Sequence, residues 1–119
     1  MVYEAVKAAR ALEAEGISAE VLDPRTIKPL DIAAILASVK KTGRLIVADA
    51  GGVMTGISAE IAAQVCEKGF QYLKAPVRRV GLPDVPTPAA PELEKAFYPG
   101  TADIQAAARE LVNYKGAVK

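Results

Sequence analysis

The sequence predicts an α/β fold: a three-layer α/β/α sandwich around a mainly parallel sheet. Three observations predict it. Short apolar runs alternate with amphipathic segments of about ten to fifteen residues, the signature of βαβ units. One run, Leu45-Ile46-Val47-Ala48, is continuously apolar, as expected of a central strand covered on both faces. Gly16, Gly43 and Gly69 each stand where a helical pattern stops.

Residues 2–15 place Val2, Ala5, Val6, Ala9 and Leu12 on one helical face, with Glu4, Lys7, Arg10 and Glu13 elsewhere and Gly16 as the stop. Ile17, Ala19 and Val21 then alternate with Ser18 and Glu20 until Asp23-Pro24 breaks the run, which predicts a short strand at about 18–22. Pro29-Leu30-Asp31 announces the next helix: Asp31 can cap its free amides, and Leu30 and Ile35 have hydrophobic-staple spacing. Ile32, Ile35, Leu36 and Val39 form its inward face, while Lys40 and Lys41 suit the negative end of its dipole.

After the strand at 45–48, Thr55 or Gly56 begins a helix carrying Ile57, Ile61, Ala62 and Val65. A further strand is expected at 77–80. Pro83, Pro86, Pro88 and Pro91 then bar both helix interior and central strand, so this stretch reads as an ordered loop or extended crossing. A helical turn near 91–97 leads to Pro99-Gly100. Thr101 is expected to cap a last helix to about 114, with Ile104, Ala108, Leu111 and Val112 inward. The pattern opens on a helix and leaves only three clear strands. Either a strand hides in 70–75 or the proline loop, or the chain was cut from something longer.

A chain of 119 residues suits one domain. Fifteen basic residues are scattered among fourteen acidic ones, so no long-range field favours nucleic acid or an anionic membrane. No apolar run approaches the ~20 residues of a membrane span, and the expectation is a soluble intracellular protein. Cys66 is the only cysteine, which excludes an internal disulfide, and its neighbours Ile61, Ala62 and Val65 predict a buried thiol. There is no histidine, so the commonest general base near neutral pH and the usual partner of a Ser or Cys nucleophile are both missing. No catalytic residue, metal ligand or cofactor-binding residue is assigned.

Two segments are candidate sites. Gly51, Gly52, Thr55 and Gly56 lie between a strand and a helix N-terminus, where free amides and the dipole can hold an anion or regulatory ligand, although the spacing matches neither a dinucleotide fingerprint nor a phosphate-binding loop. Tight-turn geometry accounts for the same glycines. Pro83, Val85, Pro86 and Pro88 form a rigid apolar stretch that packs either on its own domain or on a partner subunit. Asp23, Asp31 and Asp49 sit at strand ends or helix starts; each has a local explanation as turn former, cap or strand-end residue, against a shared carboxylate cluster. One of Arg78 and Arg79 is expected to pair with a carboxylate.

The runs EVLDPRTIKPLD at 20–31, SVKKTGRLIVAD at 38–49, GISAEIAAQVCEKGF at 56–70 and APVRRVGLPDVPTPAAPELEKAFYPG at 75–100 together resemble a known family. This is the C-terminal, transketolase C-terminal-like domain of the beta subunit of the thiamine-diphosphate-dependent component of 2-oxo acid dehydrogenases, the group handling pyruvate, branched-chain 2-oxo acids and acetoin. The resemblance departs at Ala50, Gly51 and Gly52, where members usually carry a further acidic residue, and at the start, where members have a strand before the first helix.

The resemblance implies that residues 1–119 are one domain of a longer oxidoreductase subunit, lacking a first strand and the N-terminal domain that holds the thiamine pyrimidine. It implies thiamine diphosphate and magnesium in the parent enzyme, none bound by this domain, and no activity for the domain alone. The implied partners are the alpha subunit and second beta subunit of a heterotetramer and the acyltransferase's subunit-binding domain, in the cytoplasm or, in a eukaryote, the mitochondrial matrix. The implied role is subunit assembly; the alternative is a regulatory ligand-binding module using the Gly51 to Gly56 turn.

Overall fold

The computed structural model describes residues 1–116. The elements run α1 (Val2–Glu13), α2 (Ile32–Thr42), β1 (Ile46–Gly52), α3 (Ile57–Gly69), a 3-10 turn (Phe70–Tyr72), β2 (Arg78–Leu82), α4 (Pro91–Phe97) and α5 (Thr101–Val112). β1 and β2 pair in parallel, with Ile46 opposite Arg78 and Ala48 opposite Val80, and the register shifts before Gly52 meets Leu82.

Side-chain alternation along β1 divides the core into two layers. Val47 packs with Ile35, Val39, Ile61 and Val65 from α2 and α3. Ile46, Ala48 and Val80 face the other way, against Ala8, Ile104 and Ala107 from α1 and α5. A strand with apolar contacts on both faces needs the continuous run that 45–48 supplies.

Local chemistry sets the helix ends. α1 closes in a Schellman motif: the Gly16 amide donates to the Glu13 carbonyl at 3.0 Å and the Ile17 amide to Leu12 at 2.9 Å, with Gly16 left-handed at φ +78. Asp31 caps α2, its Oδ1 accepting from the Ala34 amide at 3.0 Å, an interaction worth about 0.5–2 kcal/mol. Leu30 packs on the cluster that contains Ile35, as the staple spacing requires. Arg44 donates through Nε to the Leu111 carbonyl at 2.9 Å, meeting one of the last acceptors of α5.

Several expectations are corrected. Residues 18–22 are not a strand: among the described residues their backbone pairs with no other segment. Cys66 is exposed, because α3 turns Ile61 and Val65 inward and Cys66 falls one residue further round the helix. Thr101 is the first residue of α5 and not its cap. Gly100 holds that place, and its amide donates to Asp103 at 2.8 Å. The Thr101 hydroxyl is drawn instead to Glu4 of α1. Val112 faces solvent. Ala8, off the expected stripe of α1, is fully buried.

The contact between Glu4 and Thr101 has a pH signature. Glu4 accepts from the Thr101 amide at 3.1 Å and from its hydroxyl, and pairs with Lys7 at 3.1 Å. Hydrogen bonding from Thr101, then from Lys7, lowers its carboxyl below the ordinary 4.5. A depressed folded-state value means the stabilisation is present above pH 4.5 and is lost as pH falls through the lower value. Glu4→Gln is therefore expected to reduce stability at neutral pH and to lose less on acidification than the wild type. Urea midpoints at neutral and acid pH check this; an unchanged acid loss would contradict it.

Candidate functional site

β1 ends beside the start of α3, and the connecting residues form the predicted turn. Gly51 and Gly52 lie inside β1, because pairing with β2 continues through Gly52 opposite Leu82. The strand therefore runs further than the apolar stretch at 45–48 indicates. Val53 donates its amide to the Leu82 carbonyl at 3.1 Å, and Arg79 donates through Nη1 to the Val53 carbonyl at 2.6 Å. Thr55 adopts φ +62, unusual for a β-branched residue, and Gly56 is the extended N-cap of α3.

The close approaches in this turn explain its glycines. A Cβ on Gly56 would strike the Gly52 carbonyl, and one on Gly81 would come within 2.8 Å of the Gly51 carbonyl oxygen. The Asp49 carboxylate is also present: its Oδ2 lies 2.8 Å from the Cβ position of Gly51 and 3.7 Å from that of Gly56. A carboxylate of the chain thus occupies the ground beside the α3 N-terminus, and its charge opposes a second anion there. Ser58, at 1% exposure, has no hydrogen-bond partner for its hydroxyl among the described residues.

The remaining polar candidates are used locally. Asp23 accepts from the Arg25 amide at 3.2 Å and Asp31 caps α2, and no group of three potential metal-binding side chains forms among the described residues. Arg78 pairs with Glu110 of α5 at 2.6 Å, as the strand alternation implies. Arg109 grips Glu15 with two hydrogen bonds of 2.8 and 2.7 Å, which hold the Glu15 carboxyl below its usual range and raise the Arg109 guanidinium. Lys41 does the same to Glu20, lowering it and fixing residues 18–22 to the end of α2.

The proline stretch lies on the surface. Val85 is 59% exposed between Pro83 and Pro86, Pro88 is half-buried, and Leu93 of α4 is 60% exposed. α4 is anchored by one buried residue, Phe97, whose ring meets Tyr98 edge-on at 5.1 Å. A second apolar surface escaped the sequence reading: Cys66 and Phe70, the latter 72% exposed, border a hollow with Leu73 and Ala75. Its only sequence signal was a phenylalanine just past the helix-stopping Gly69. Among the described residues, no helix is long and apolar enough to cross a membrane.

A parallel strand pair connected through α3 and lying between two helix layers, with a glycine turn leading from β1 into α3, defines an α/β sandwich domain. Residues 1–104 match the family described as "Transketolase, C-terminal domain", and the chain belongs to that family. It is 50% identical over 109 residues to the mitochondrial pyruvate dehydrogenase E1 component subunit beta-1 of Arabidopsis thaliana, covering 92% of this chain and 30% of that protein. Identity to the acetoin:2,6-dichlorophenolindophenol oxidoreductase subunit beta of Cupriavidus necator is 44% over 112 residues, covering 94% of this chain and 33% of the other. The chain thus spans about a third of the length of these relatives. A solved "Split gene transketolase, inactive beta4 tetramer" superposes with a TM-score of 0.84 at 29% identity, over 97% of this chain and 37% of that one.

Proposed function

We propose that this chain is the C-terminal structural and subunit-assembly domain of the beta subunit of a 2-oxo acid dehydrogenase, with the reaction carried elsewhere in the parent enzyme. The observation that carries the assembly role is the exposed apolar stretch of Pro83, Val85 and Pro86, with Leu93 of the following helix exposed as well. Prolines remove backbone donors and fix an extended path, so such a segment gains little by lying in water. Burial against a neighbouring subunit gives it a use.

The relatives support the enzyme class, since their names assign them to beta subunits of pyruvate dehydrogenase and acetoin oxidoreductase. On this reading the partners are an alpha subunit, a second beta subunit and the acyltransferase's subunit-binding domain, in the cytoplasm or the mitochondrial matrix. The parent uses thiamine diphosphate with magnesium. In such enzymes the carbanion chemistry belongs to the cofactor, and the protein binds and orients it.

Within this chain, neither the Asp49-lined turn nor the proline edge offers a diphosphate cradle. Titration calorimetry with thiamine diphosphate and magnesium is expected to give no binding heat. Micromolar affinity would overturn the assignment of cofactor binding to other parts of the parent enzyme.

A further inference from the structure

A hollow of about 740 Å³ lies beside β2, on the side away from β1. β2 pairs with β1 alone, in a sheet of two strands among the described residues. The Arg78 amide donates to the Leu45 carbonyl, and the Leu82 carbonyl accepts from the Val53 amide. Residues 78, 80 and 82 therefore turn their backbone groups toward β1. Strand geometry aims the amides and carbonyls of Arg79 and Gly81 the other way, along an open edge.

The wall beside that edge is apolar. Ala63 and Cys66 of α3 line the hollow, together with Phe70 and Leu73 just beyond the helix. Arg79 lies opposite Val47, whose side chain packs on α2 and α3, so Arg79 stands on the α3 side of the sheet. The small side chains at 63 and 66 leave room for those of a strand laid about 4.8 Å from β2.

Charge selects the occupant. Lys74 and Arg79 line the hollow and no carboxylate does, and neither cation forms an ion pair among the described residues. The bond from Arg79 to the Val53 carbonyl uses a donor but leaves the charge uncompensated. A second copy is a poor fit. Two-fold pairing centred on two β2 edges sets their Arg79 groups opposite or diagonal to each other, which like charge opposes.

We infer that the β2 edge and this hollow form a docking groove for an extended acidic segment of a partner protein. The segment adds a strand to β2, places a carboxylate against Arg79, and presents apolar side chains to the hollow on either side of it. Main-chain bonds to the edge supply affinity, and the hollow and its cations supply selectivity. The groove stands on strand geometry and charge, independently of the assembly role of residues 83–86.

The probe is a blocked peptide, Thr-Val-Thr-Glu-Thr-Val-Thr, whose palindromic order suits either strand direction. It is compared with a version carrying Lys for Glu and with one N-methylated throughout, which keeps the side chains and removes every ladder donor. Occupancy of the 119-residue chain is read in two ways. One is amide hydrogen exchange at Arg79 and Gly81; the other is the alkylation rate of Cys66, the only cysteine and exposed. The acidic peptide is expected to slow both about tenfold. The lysine and N-methylated peptides should bind at least tenfold more weakly, and Arg79→Glu should reverse the preference between glutamate and lysine. Ala63→Trp, at an exposed helix position, should fill the hollow and abolish binding while keeping the urea midpoint near that of the wild type. Absence of protection at millimolar peptide overturns the proposal, as does equal binding of the glutamate and lysine peptides. Unchanged binding by the N-methylated peptide or by Ala63→Trp overturns it too. So does protection of Arg79 and Gly81 in the free chain that rises with its concentration, because a second copy would then be the occupant.

Discussion

Replacing Gly56 with alanine is expected to destabilise the protein by about 3 kcal/mol or more, at the upper end of overpacking effects. The added Cβ would strike the Gly52 carbonyl, which is backbone and cannot rotate aside as a side chain would. Relief requires separating the end of β1 from the start of α3, and with it the pairing of Gly52 with Leu82. Gly16→Ala is the control. Gly16 is left-handed, but nothing lies within 4 Å of its Cβ position, so only the backbone cost of about 1–2 kcal/mol should appear. Urea denaturation of the two variants separates collision from conformation, and equal losses would show that the turn yields more readily than its geometry indicates.

Leu12→Ala is expected to cost about 2–5 kcal/mol. At 1% exposure Leu12 is among the largest fully buried side chains, and its carbonyl closes the Schellman motif that ends α1. Truncation removes apolar burial on the inner face of α1 and enlarges the cavity that Leu12 lines. The loss should appear as a lower urea midpoint with little change in slope, since the surface exposed on unfolding hardly alters. A loss below about 1 kcal/mol would mean that α1 is loosely held.

The parts of the fold visible in the sequence are those fixed by near neighbours. Asp31 and Leu30 specify the start of α2 within five residues, and the central strand declares itself through consecutive apolar positions. The misplaced features depend on distant groups. Thr101 has good capping chemistry, but Glu4, far away in the chain, takes its hydroxyl. Residues 18–22 carry the alternation of a strand without forming one. A ladder needs a partner at hydrogen-bonding distance, and among the described residues none pairs with them.

The sites divide in the same way. The glycines of the Gly51 to Gly56 turn were visible, whereas the carbonyls that require them and the Asp49 carboxylate beside them come from folding β1 back against α3. Cys66 follows apolar residues yet faces outward, since one step along a helix turns a side chain by about 100°. The proline edge was the most legible candidate, because the residues themselves impose its extended path.

The central claim is that this edge is a subunit contact, and sedimentation velocity of wild type and Val85→Lys over a wide concentration range tests it most directly. The wild type is expected to self-associate through the surface containing Val85. A lysine there would bury a charge in the contact and should weaken association by about tenfold or more. A wild type that stays monomeric at every concentration, or a Val85→Lys variant that associates as the wild type does, would contradict the account and leave residues 83–90 as a crossing within the domain.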